Sequence, residues 1–100
     1  MPTVFEEKIY LTLRKVPRDK VTTYGELARA VGTRAYRAVG NAMNKNPYAP
    51  AVPCHRVVCS DGRIGGFRSG VDKKISLLKK EGVQVKKGFV LDFEKKLFRF

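Results

Sequence analysis

The stretch Thr23-Tyr24-Gly25-Glu26-Leu27-Ala28-Arg29-Ala30-Val31-Gly32-Thr33-Arg34-Ala35-Tyr36-Arg37-Ala38-Val39-Gly40-Asn41-Ala42-Met43-Asn44 reads as two short amphipathic helices and the turn between them. Thr23 and Glu26 stand at capping-box spacing, so the first helix starts there and carries Leu27, Ala28 and Val31. Gly32 breaks it. Thr33 is positioned to cap a second helix from Arg34 to Asn44, with Ala35, Val39 and Met43 on its apolar face. Two helices split by a glycine turn, the second bearing Arg34 and Arg37, match the helix-turn-helix pattern. Many small helical domains contain such a corner, so the pattern needs support from the rest of the chain.

Upstream, Thr3 and Glu6 repeat the capping-box spacing. Phe5, Ile9, Leu13 and Val16 recur every three or four residues, which predicts an opening amphipathic helix that Pro17 stops. Downstream, the two prolines of Asn46-Pro47-Tyr48-Ala49-Pro50 make a loop. Ala51 to Cys59 has strand composition, interrupted by Pro53 and His55, and Ser60-Asp61-Gly62 turns the chain. Gly65-Gly66-Phe67-Arg68-Ser69-Gly70 is a glycine-rich loop without the Gly-Lys-Ser/Thr of a phosphate-binding loop. Ser69 is placed to cap a helix running to Glu81, with Ile75, Leu77 and Leu78 inward and Lys73, Lys74, Lys79 and Lys80 outward, and Gly82 ends it. Val83, Val85, Phe89, Val90 and Leu91 suggest a hairpin, and Leu97, Phe98 and Phe100 cover the core. The pattern predicts a mainly α domain with a very small β-sheet, residues 1–100 forming one unit.

The charge balance bounds the partners. Against 9 Asp+Glu the chain carries 21 Lys+Arg, a net +12, so a polyanion is the expected partner and nucleic acid the commonest for a domain this small. Lysine-rich surfaces also serve solubility and heat tolerance, and that reading stays open. One histidine and two cysteines make a poor zinc site, which wants four ligands in pairs, and they suggest no disulfide framework. Without a transmembrane run or the apolar core of a signal peptide, the expectation is no membrane and a reduced, intracellular setting in cytoplasm or nucleoid.

Chemistry concentrates at Pro53-Cys54-His55-Arg56-Val57, which sets a thiol beside the only imidazole. A thiol nucleophile needs a base or a positive charge close by. Neighbours on a strand point to opposite faces, so Cys54 and His55 meet directly only if the backbone leaves strand geometry, which Pro53 allows. The alternative is a relay through water, with His55 oriented by a carboxylate; Glu81 suits because it ends a helix able to pack behind the strand. The bland reading makes both cysteines small buried hydrophobes and His55 a hydrogen-bonded core residue.

In these residues the chain resembles the O6-alkylguanine-DNA alkyltransferases. Pro53-Cys54-His55-Arg56-Val57 is similar to that family's alkyl-acceptor signature. The likeness extends through Thr23-Tyr24-Gly25-Glu26-Leu27-Ala28, Arg37-Ala38-Val39-Gly40-Asn41-Ala42-Met43, Asn46-Pro47, the glycine loop and Leu77-Leu78-Lys79-Lys80-Glu81-Gly82, in unbroken order from Val4 to Gly82. The resemblance implies the family's C-terminal domain, a winged-helix-like helix-turn-helix fold, and a DNA repair protein that acts once. It would flip O6-alkylguanine out of double-stranded DNA through the minor groove and move the alkyl group onto its own Cys54. His55 would be the base through a water, Glu81 its orienter, Asn46 the brace of the turn and the water network, and Tyr24 a donor to the leaving guanine. The backbone carbonyls of Cys54 and Val57 would accept from the exocyclic amine, the Arg68 amide would face the alkylated oxygen, and Phe67 and Lys74 would complete the substrate pocket. Arg37 would fill the space left by the base, with Thr23, Arg34, Ala38, Gly40, Ala42, Met43 and Arg56 along the DNA. The resemblance implies no cofactor, no metal and a monomer.

This chain departs from the family at Phe67, where a tyrosine is usual, and at Arg68-Ser69, bulkier than the usual small pair. It also starts at the first helix of that domain, where most members carry an N-terminal companion. Alkyltransferase-like proteins, which lack the acceptor cysteine and flag lesions for other machinery, are the alternative. A helix-turn-helix binder with a vestigial or redox-sensing Cys-His pair, and a cysteine hydrolase, are further readings.

Overall fold

A reciprocal capping box opens the first helix: the Thr3 hydroxyl accepts from the Glu6 amide (3.1 Å) while the Glu6 carboxylate accepts from the Thr3 amide (2.9 Å). In this computed structural model, which describes residues 2–100, α1 spans Val4–Leu13. It ends four residues short of Pro17. Tight turns through Lys15 and Val16 finish it, so Val16 remains buried without belonging to the helix.

The chain then forms β1 (Thr22–Thr23), α2 (Tyr24–Ala30), α3 (Tyr36–Lys45), a 3₁₀ turn (Cys54–Arg56) and β2 (Val57–Val58). After these come α4 (Val71–Lys80), the hairpin β3 (Val85–Lys86) with β4 (Phe89–Val90), and a last turn of helix, α5 (Phe93–Lys96). The expected mainly helical domain with very little sheet is what is observed. β1 and β2 pair in parallel, Thr22 opposite Val57 and Thr23 opposite Val58. Leu97 bridges Val21 on the other side of β1, so the C-terminal segment extends the sheet.

Three details differ from the sequence reading. Thr23 caps α2 through the Glu26 amide (3.0 Å), but the Glu26 carboxylate pairs with Arg29 instead of closing the box. Thr33 bonds the Ala35 amide (3.0 Å), and α3 starts only at Tyr36, leaving Ala35 exposed. Gly70, at φ +100°, begins α4 in place of Ser69, with no side-chain cap.

The core has two parts. Ile9, Tyr10, Leu13, Leu27, Val39 and Val57 pack between the first three helices, while Val21, Val58, Ile64, Leu78, Val83 and Val90 pack under α4 and the hairpin. Adjacent strand residues face opposite ways, so Val57 enters one cluster and Val58 the other. The 3₁₀ turn holding Cys54 therefore sits at the seam between them.

Candidate functional site

Cys54 reaches this seam on the 3₁₀ turn rather than on a strand, a correction to the expected run from Ala51 to Cys59. The Cys54 amide bonds the Val52 carbonyl and the Arg56 amide bonds that of Pro53, both at 2.9 Å, so the chain coils tightly just where prolines prevent pairing. Asn46 braces the approach. Its Nδ2 donates to the Val52 carbonyl and its Oδ1 accepts from the Tyr48 amide, both at 2.9 Å, and the side chain is buried.

Behind the turn lies a charged relay. His55 Nε2 is 3.1 Å from both oxygens of Glu81. Arg56 forks onto the same carboxylate, Nε to Oε1 at 2.8 Å and Nη2 to Oε2 at 2.7 Å, while its Nη1 donates to the Val16 carbonyl at 2.7 Å. Burial works to raise the Glu81 carboxyl, but hydrogen bonds from Arg56 and His55 outweigh it and hold it below the usual range. An ionised carboxylate can only accept, so Nε2 carries the proton and Nδ1 keeps a free lone pair. Burial pulls the His55 pKa below its ordinary 6.5, against the pull of Glu81, and keeps the ring neutral at physiological pH.

In front of the turn is a pocket. Cys54 shares its lining with Tyr24, Asn46 and the glycine-loop residues Gly66, Phe67, Arg68 and Ser69, with Met43, which was expected along the DNA and is largely buried in the helical core, and with Asn44 and Ala49, which sequence reasoning missed. Nothing in the local pattern around Asn44, at the end of α3, or Ala49, in the proline loop, marks a pocket wall. Tyr24 stays protonated: burial raises its phenol, and the nearby thiols Cys59 and Cys54 add to the effect. An adjoining groove runs along Arg37, Gly40 and Asn41 of α3 to Phe67 and Arg68. Ala38 is half-buried on the same helix.

Several expected positions fall elsewhere. Arg56, expected along the DNA, instead has its guanidinium held on Glu81 and the Val16 carbonyl. Ala42 is fully buried in the helical core, where its carbonyl accepts from the Tyr10 hydroxyl at 2.8 Å. Thr23 is buried with its hydroxyl engaged in capping α2. Val57 turns its side chain into the core, which leaves its expected role, through the backbone carbonyl, untouched. Lys74, expected on the outward face of its helix, is 1% exposed. Its Nζ donates to the carbonyls of Ile64 (2.6 Å) and Gly66 (3.2 Å), strapping the glycine loop from beneath, and burial lowers its pKa to about 8. Arg34 is exposed at the α2–α3 turn, beside Arg29 and an exposed Tyr36 that the sequence reading passed over. No helix among the described residues is long and apolar enough to cross a membrane.

The family profile described as 6-O-methylguanine DNA methyltransferase, DNA binding domain, matches residues 4–83. The chain is 54% identical over 83 residues to the methylated-DNA–protein-cysteine methyltransferase of Thermococcus kodakarensis, covering 82% of this chain and 47% of that protein. It spans about half the length of the curated relatives it matches. A crystal structure of Mycobacterium tuberculosis OGT in complex with DNA superposes with a TM-score of 0.78 at 38% identity, over 81% of this chain and 51% of that one. S. pombe Atl1, in complex with damaged DNA containing O6-carboxymethylguanine, superposes with a TM-score of 0.84 at 32% identity over 100% of both chains.

Proposed function

Because the chain belongs to the 6-O-methylguanine DNA methyltransferase family through its DNA-binding domain, we propose that it repairs double-stranded DNA by taking the alkyl group of O6-alkylguanine onto Cys54. Residues 1–100 act as one unit carrying both the DNA-binding and the alkyl-accepting parts. In this reading α3 enters the minor groove, where Gly40 and Ala38 permit close approach. Base pairing buries O6, so the damaged nucleotide rotates out of the stack and Arg37 fills its place. The base enters the pocket beside Tyr24 and Phe67. The Cys54 sulfur attacks the alkyl carbon, the carbon–O6 bond breaks, and its electron pair stays on guanine, to which the Tyr24 hydroxyl donates. The thiol proton passes through a water to Nδ1 of His55, with Glu81 stabilising the imidazolium, and protonates the departing base. The thioether is stable, so one molecule serves one lesion without a cofactor.

The junction at Cys54 carries this reading: a thiol lining an open pocket, on a turn whose next residue is a neutral histidine locked to a carboxylate. Incubation with duplex containing O6-methylguanine should add the mass of one methyl group to the peptide containing Cys54. Cys54→Ala should bind the same duplex and remain unmodified. Binding by the unaltered protein without an adduct would favour the second reading, a non-catalytic binder that flags lesions. The end-to-end match to S. pombe Atl1 supports that alternative, and the presence of Cys54 opposes it.

A further inference from the structure

The pocket in front of Cys54 has one permanently charged side chain in its lining, Arg68, and no acid. Arg68 leaves the glycine loop and crosses to the end of α3, where Nη1 donates to the Asn44 carbonyl at 2.8 Å. Carbonyls in the last turn of a helix lack intrahelical partners and carry the negative end of its dipole, so they hold a cation there. The same side chain lines the groove that contains Arg37 and Gly40, which sets the guanidinium at the seam between groove and pocket. Its single bond to Asn44 occupies one of five N–H donors. The carboxylate of Glu6, which lines a neighbouring hollow with Arg68, is already paired to Lys45 at 2.8 Å. Among the described residues Arg68 has no ion-pair partner.

We propose that Arg68 makes this pocket selective for adducts that end in an anion, a carboxymethyl group on O6 being the simplest, over neutral adducts of the same size. The proposal rests on the reading that an O6-alkylguanine enters beside Cys54. A guanidinium presents parallel donors that match both oxygens of a carboxylate, whereas a neutral carbamoyl tail offers a single uncharged acceptor and so a weaker bond. Because the side chain is exposed, screening limits the gain.

The test compares three duplexes, identical except for O6-carboxymethylguanine, its neutral isostere O6-carbamoylmethylguanine, or guanine, bound to Cys54→Ala so that no transfer intervenes. The carboxymethyl duplex should bind about five- to tenfold more tightly than the carbamoylmethyl one, a ratio that falls as salt rises. Adding Arg68→Ser should bring the ratio close to one, and Arg68→Lys should keep part of it. A ratio unchanged by Arg68→Ser overturns the proposal. So does an equal loss on all three duplexes, which would make Arg68 a phosphate contact that carries no information about the adduct. If neither lesion binds better than guanine in any protein, the O6-alkylguanine reading itself fails, and this proposal with it.

Discussion

Glu81 receives three donors, two from Arg56 and one from His55, and that crowding decides what His55 can do. The carboxylate fixes the proton on Nε2 and leaves Nδ1 as the basic atom. His55 has a depressed folded-state pKa, so its contribution to stability is present above the unfolded value of 6.5 and is lost as pH falls through the lower folded value. Alkyl transfer should follow the same ionisation, level between neutral pH and about 8, where Lys74 beneath the glycine loop begins to lose its proton, and declining below 6.5 as Nδ1 takes a proton. Glu81→Gln separates orientation from charge, since the amide oxygen still accepts from Nε2–H. Without the carboxylate the imidazole becomes less basic, so the acid limb should move to lower pH. The plateau rate should fall about 10- to 100-fold, because the imidazolium formed during transfer loses its partner. Stranding the Arg56 guanidinium should also cost about 2–4 kcal/mol in urea unfolding. Single-turnover rates across pH check this, and an acid limb that moves upward overturns the assignment.

Helix α3 carries a glycine that the fold itself does not need. A Cβ built on Gly40 meets nothing within 4 Å, and its φ is not among the positive values, so alanine fits without strain. Glycine inside a helix costs about 0.5–1 kcal/mol relative to alanine. Gly40→Ala should therefore raise the thermal midpoint by roughly 2–8 °C. If the groove face of α3 approaches DNA closely, the same methyl should weaken duplex binding severalfold. A variant that is more stable and binds undiminished would show that Gly40 is not a contact. This helix was legible in the sequence because its pattern, Val39 and Met43 four apart, is local and repeats at helical spacing. Its start was not. Thr33 offers a cap and makes a local bond, yet the glycine turn at Gly32 (φ +78°) delays helical backbone to Tyr36. The segment around Cys54 misled for a related reason. Valine-rich composition suggests a strand, but only Val57 and Val58 find a partner, Thr22 and Thr23 far back in the chain, and nothing near residue 54 announces that pairing.

At the scale of the whole molecule, composition reveals that the chain is a polycation but not which cations are spent internally. The signature Cys54-His55-Arg56 was readable as a site, and so was the link to Glu81; the diversion of Arg56 from DNA to Glu81 was not, because it depends on α4 lying behind the turn. Burial of Lys74 was hidden for the same reason: its place in a lysine-rich helix suggests solvent, and only the carbonyls of Ile64 and Gly66 reveal its use. These assignments sort the arginines into kinds that salt can tell apart. A side chain that neutralises a phosphate releases a counterion, so its loss should reduce the slope of log K against log salt by about one. Arg34, exposed at the turn before α3, should behave this way on damaged and undamaged duplexes alike. Arg37→Ala should leave the slope nearly unchanged if the side chain occupies the space of the rotated base, while slowing transfer from duplex far more than transfer from the free alkylated base. Arg56→Ala should destabilise the fold and keep the full slope, because its guanidinium is held on Glu81 and the Val16 carbonyl. Titrations of the three variants by fluorescence anisotropy over a range of salt provide the measurement. A reduced slope for Arg56→Ala, or equal slopes for Arg34→Ala and Arg37→Ala, would mean that the groove face has been assigned to the wrong side of the molecule.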